Sequence, residues 1–120
     1  MKHAFVTFLL TAMAFNSAPV SAQRIPNLGE KACSLWIAVA DRAKQDPGVR
    51  DQELMMDWWA LGNLKGVATQ YAYSEKVPNP LLKLKPNEER EWLRAYCRVN
   101  PNKNISDAIV KLLEELESRQ

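Results

Sequence analysis

Leu54–Tyr73 reads LMMDWWALGNLKGVATQYAY. It carries two of the four tryptophans and two of the four glycines of a 120-residue chain. The spacing predicts one helix with apolar residues on two sides. Leu54, Trp58, Leu61, Ala68 and Tyr71 or Ala72 recur at helical intervals. About 100° round the helix runs a second row, Met55, Trp59, Gly62, Gly66 and Tyr73. A helix apolar on two sides is usually central, with neighbours on both. Each glycine costs about 1 kcal/mol of helix propensity against alanine. That cost is best explained by the close approach of another backbone or a ligand.

The rest of the chain supplies helices to pack against this one. Glu30–Lys44 carries one stripe, Cys33, Trp36, Ile37 and Ala40, and stops at the turn Asp46-Pro47-Gly48. Asp51 is placed to cap the long helix. That helix ends before Val77, because Pro78 disfavours helix at the residue before it. Leu81–Leu84 is short and apolar, and reads as a loop laid on the core. A third helix starts at Pro86 or Asn87 and runs to Arg98, with Trp92, Leu93, Tyr96 and Cys97 inward. A fourth, from Ile105 to Ser118, aligns Ile105, Ala108, Ile109, Leu112, Leu113 and Leu116. No segment alternates with the period of a strand. The expected fold is therefore all-α, a small four-helix bundle forming a single domain, 23–120.

Residues 1–22 read as a signal peptide. Lys2 and His3 precede the apolar run Ala4–Phe15, and Val20-Ser21-Ala22 fits a cleavage site. Twelve apolar residues are too few to span a membrane, which needs about 20. Cleavage leaves Gln23–Gln120, 98 residues with 15 basic and 14 acidic side chains. That balance gives no reason to expect nucleic acid or membrane insertion. Export to an oxidising compartment predicts that Cys33 and Cys97, the two cysteines, are bonded. Such a bond closes a long loop and contributes about 4 kcal/mol in the chain-entropy model. The alternatives are a two-thiol metal site or a redox pair. With no histidine in the mature chain and no C-x-x-C spacing, both are poorer fits.

Catalytic chemistry is sparse. Loss of His3 removes any His-based triad, and the remaining serines have no base beside them. Glu88, Glu89 and Glu91 suit the positive end of a helix. Asp57 can be read as a buried acid, but pairing with Lys65 or exposure between the two apolar rows is the preferred expectation. Gly62 and Gly66 lack the Lys-Ser/Thr of a phosphate loop. The chain reads as a non-enzyme, with no cofactor and no metal. Met55, Trp59, Gly62, Gly66 and Tyr73 are the candidate partner-binding row, since aromatic and Met surface is what binding sites use.

Several motifs are shared with known families. They are Cys33, then Trp59-Ala60-Leu61-Gly62-Asn63-Leu64-Lys65-Gly66, then Tyr96-Cys97-Arg98-Val99-Asn100-Pro101, and Ile105-Ser106-Asp107-Ala108. Together they resemble the HdeA/HdeB family of periplasmic helical proteins, which share a signal peptide and one disulfide. Gly62–Ala68 is also similar to the Rap/Tai-type immunity proteins. Both patterns usually carry an aromatic where Asn63 stands. The first resemblance implies a periplasmic acid-stress chaperone for unfolded clients. The second implies an immunity protein that inhibits one cognate secreted toxin. Either is compatible with a homodimer. Intact mass of the exported protein should begin at Gln23 and show no free thiol; a retained leader or a reactive Cys33 would contradict this reading.

Overall fold

The computed structural model describes residues 32–119, so the leader, its cleavage site and the lead-in to Lys31 lie outside the described residues. Four α-helices follow in order: α1 Cys33–Ala43, α2 Arg50–Glu75, α3 Glu88–Val99 and α4 Ile105–Ser118. Two 3-10 turns, Pro47–Val49 and Pro80–Lys83, join α1 to α2 and α2 to α3. Among the described residues there is no strand, only an isolated bridge between Ala32 and Asn104. The all-α, four-helix expectation is therefore met.

α1, α3 and α4 bury the stripes their sequences present. Trp36, Leu93, Ile105, Ile109, Leu112 and Leu116 fill the centre of the core. Cys33 and Cys97 are bonded with Cα atoms 4.7 Å apart, fully buried, fastening the start of α1 to the end of α3. α1 has no side-chain cap. Instead the turn after α3 closes it: the amides of Cys33 and Ser34 donate to the carbonyls of Lys103 (2.8 Å) and Pro101 (3.3 Å). Asn100 holds that turn by donating its side-chain amide to the Tyr96 carbonyl. This gives the Tyr-Cys-x-x-Asn-Pro motif a physical role, satisfying the orphan donors of another helix. α4 opens with a reciprocal capping box between Asn104 and Asp107.

α2 departs from its sequence reading. Its buried stripe is Asp57, Ala60, Leu64 and Ala68. Of the first expected stripe only Ala68 is buried; Leu54 and Trp58 are exposed. The small residues Ala60 and Ala68 face the core and let neighbouring helices close in, while Leu54, Met55, Trp58 and Tyr73 point outward. Asp51 does not cap the helix. The 3-10 turn runs directly into α2, with Val49 at the N-cap position and Asp51 and Glu53 in the first turn. α2 ends as expected, at Glu75, with Lys76 in the left-handed region (φ 55°). Leu81 and Leu84 pack on the core, whereas Leu82 projects to solvent.

These two views of α2 differ measurably. Leu64→Ala should cost about 2–5 kcal/mol in urea unfolding, as for a buried leucine. Leu54→Ala should stay within about 0.5 kcal/mol. The reverse order would restore the stripe expected from sequence.

Candidate functional site

Two features of α2 stand out, one inside and one outside. The inner one is Asp57, the sole charged residue in the buried class among the described residues, 4% exposed. A carboxylate removed from water must be paired and hydrogen-bonded. Asp57 is both. From α1, the Trp36 indole Nε1 donates to Oδ1 at 2.9 Å. From α3, Arg94 Nη2 donates to Oδ1 and Oδ2 at 2.6 and 2.7 Å. The same nitrogen reaches Glu53 Oε1 at 2.9 Å, one turn earlier on α2. Arg90 Nη1 adds a looser ion pair at 3.8 Å. The Arg94 guanidinium also lies 5.7 Å from the Trp36 ring centroid, within cation–π range. Lys65 takes no part in the cluster, correcting the expected Asp57–Lys65 pair: position 65 is on the exposed side of α2, and Arg94 occupies the carboxylate. Trp36 and Arg94 were not singled out as site residues from sequence. The signal was an arginine within the inward stripe of α3, one residue from Leu93 and three from Cys97.

Other carboxylates tie the remaining helices. Asp41 on α1 receives two hydrogen bonds from Arg98 on α3, at 3.0 and 3.1 Å. Arg98, with Lys44 beside it, holds the Asp41 carboxyl down at about 2. On α4, Glu115 accepts from the Trp92 indole of α3 at 2.9 Å and pairs with Arg119. Arg119 and then Trp92 keep its carboxyl below the usual range, against partial desolvation. Trp92 stacks on Tyr96, ring centroids 5.6 Å apart. Glu117 lies against Tyr71 of α2 and pushes its phenol up.

The outer feature is the row proposed from sequence. Met55 is 69% exposed and Tyr73 83% exposed, and Gly62 and Gly66 are exposed between them. Trp59 is half-buried and packs against the core. Its neighbour Trp58 is the outward tryptophan, 75% exposed. The structure therefore brings Met55, Gly62, Gly66 and Tyr73 onto one solvent face and seats Trp59 at its edge. A Cβ built on either glycine meets nothing within 4 Å. No contact inside the described residues needs a glycine at 62 or 66.

An open cleft of about 520 Å³ lies between the end of α2 and the end of α4, lined by Tyr71, Val77, Pro78, Pro80 and Glu117 among others. Lys83 at its edge donates to the carbonyls of Leu116 (2.8 Å) and Arg119 (3.0 Å), closing the end of α4. Within it the Glu117 carboxylate faces the Tyr71 phenol. Among the described residues no group of three or more His, Cys, Asp or Glu is arranged to hold a metal ion. No helix among them is long and apolar enough to cross a membrane.

Removing the buried carboxylate should be costly. Asp57→Ala strips Arg94 of its closest carboxylate and leaves the Trp36 indole N–H without its acceptor, and should cost about 3–5 kcal/mol in urea unfolding. Asp57→Asn keeps an acceptor for Trp36 and should cost less. Equal losses would mean that the tryptophan bond contributes nothing. No family model matches the chain, and no curated protein or solved structure is significantly similar to it.

Proposed function

We propose that this is a non-enzymatic periplasmic protein that protects other proteins in acid. The observation that supports it most is the chemistry of the helix–helix ties. Apart from the disulfide, the side-chain ties described above between one α-helix and another each have a carboxylate on one side: Asp57, Glu53, Asp41, Glu115 or Glu117. Ordinary carboxylates protonate below about pH 4. The Asp57–Arg94 pair ties α2 to α3, and the Arg94 Nε is already buried without a partner. Loss of carboxylate charge in acid weakens ties of this kind. The 15 basic side chains of the mature chain, no longer balanced, repel one another and loosen the fold further.

α1 and α3 stay joined. The disulfide is indifferent to acid, and Asp41–Arg98 bridges the same two helices. Asp41 titrates at about 2 in the folded state, below its ordinary 3.8. Its contribution is therefore complete above pH 3.8 and is lost as pH falls through about 2. Acid thus loosens the bundle and leaves α1 and α3 tethered, with apolar faces, Trp36 and Leu93 included, that can hold a client.

A client-aggregation assay between pH 2 and pH 4, with equimolar protein, tests this. Suppressed aggregation in acid with none at pH 7 is expected. No protection in acid removes the reading, and capture of one stoichiometric partner from periplasm at neutral pH replaces it with a toxin inhibitor. In the same pH range the stability gap between wild type and Asp41→Asn should close on acidification; a gap that widens contradicts the role assigned to the Asp41–Arg98 pair.

A further inference from the structure

The connector between α2 and α3 has an open cleft on each side of Leu82. One is the cleft at the ends of α2 and α4. The other, about 460 Å³, runs from the later half of α2 to the start of α3. Leu82 and Asn79 border both. The 3-10 turn explains the arrangement. Pro80 is buried, and Asn79 caps the turn by accepting from the Leu81 amide at 3.0 Å. Leu81 is thereby laid on the core and Leu82 is turned out, 80% exposed. A lone exposed leucine needs no explanation. This one continues an apolar surface, with Leu81, Leu84 and Pro86 in one cleft and Val77 and Pro78 in the other.

The two clefts differ in charge. Lys65 of α2 and Lys85 of the connector both line the second. Neither ammonium has an ion-pair or hydrogen-bond partner among the described residues, whereas Lys44, Lys83 and Lys111 are all engaged. Glu89 lines the same cleft and pairs with neither lysine. It lies in the first turn of α3, where the positive end of the helix matches its charge. The second cleft therefore keeps a positive surplus beside an apolar floor. In the first cleft, Lys83 is spent on the α4 carbonyls and the Glu117 carboxylate faces Tyr71.

We propose that the second cleft binds a single-chain amphipathic anion, a free fatty-acid carboxylate. The head lies between Lys65 and Lys85. The chain follows Leu81 and Leu84 and passes Leu82 toward Val77 and Pro78. Charge fixes this direction, since a head at the other end would meet Glu117. At about 460 and 520 Å³, both clefts have the size of small-molecule sites, roughly 300–1,000 Å³. An anionic membrane is a poorer match. Insertion of Leu82 into a bilayer calls for cations spread around it, and Lys65 and Lys85 share the cleft on one side of it. The site does not rest on acid protection, since it concerns the folded protein at neutral pH, where both ammoniums are charged.

Titration calorimetry of the exported protein at pH 7 tests this, with octanoate, decanoate and dodecanoate, each below its micelle concentration. One site is expected, with affinity rising about two- to fourfold per added methylene. Lys65→Gln and Lys85→Gln should each weaken dodecanoate binding roughly two- to fivefold, and Glu89→Gln should tighten it. Leu82→Gln should weaken it roughly five- to tenfold. Lys65, Leu82 and Lys85 are exposed, so their variants should keep the wild-type circular dichroism. Bound dodecanoate should raise the melting temperature, as a ligand of the folded state does. No binding at any chain length overturns the proposal. So does a lowered melting temperature, which marks a surfactant acting on the unfolded chain. Dodecyltrimethylammonium binding as tightly as dodecanoate overturns it too, as does unchanged affinity in Leu82→Gln. Sedimentation with phosphatidylglycerol vesicles, without binding of monomeric dodecanoate, replaces the site by a membrane surface.

Discussion

The fold turns on one buried carboxylate. Asp57 sits where α1, α2 and α3 meet, and each neighbour sends it a donor: the Trp36 indole from one side and the Arg94 guanidinium from the other. An ion pair of this kind is weak support for stability, because desolvation offsets much of the attraction. Its geometric consequence is stronger. α2 presents a short, small inward stripe that alone would tolerate rotation about the helix axis. Asp57 reaches both partners in one rotation only. That rotation directs positions 55, 62, 66 and 73 away from the core, since residue 55 lies about 200° from residue 57 on a helix. The interior tie and the exposed row are two ends of one constraint.

The sequence was easiest to read where apolar pattern and burial coincide. α4 was expected from Ile105 to Ser118 and has those bounds, because its stripe is made of large aliphatic residues and Asn104 begins it. α3 and the disulfide were equally legible. α2 misled because its large apolar side chains are outside and its inward stripe is an acid, two alanines and one leucine. A periodicity argument weights size and hydropathy, so it selects Trp58 and Leu54 over Asp57 and Ala60. The polar core was visible only as unmet demand. A fully buried tryptophan needs an acceptor for its indole N–H, and an arginine beside Leu93 needs a carboxylate. The choice between Trp58 and Trp59 as the outward ring was likewise beyond periodicity, since adjacent residues differ by only about 100°.

The distribution of ties gives the bundle an order of weakness. α1 and α3 share a covalent bond and a bidentate Asp41–Arg98 pair. α2 is held by apolar contact and by Asp57 and Glu53 alone among the charged groups that bridge it to α3. The polar attachment of this 26-residue helix to α3 thus rests on two carboxylates. The longest element is thus held to α3 without a covalent tie, while the pair it rests on is also fastened by a disulfide that protons do not touch.

Helical glycine sharpens the reading of the outer face. Inside a domain, a mid-helix glycine normally earns its place by letting a neighbour come close. Gly62 and Gly66 have no such neighbour, since the space above each is open to solvent. Replacing both by alanine would stabilise α2 by about 1 kcal/mol per position, without touching any contact described in the fold. The chain therefore carries a local loss of stability on the same face that keeps a methionine, a tryptophan and a tyrosine in water. Neither the glycines nor the exposed side chains contribute to the monomer. Both become favourable together if the face is covered by another helix, because a smooth backbone between aromatic ends is the shape against which such a helix can lie.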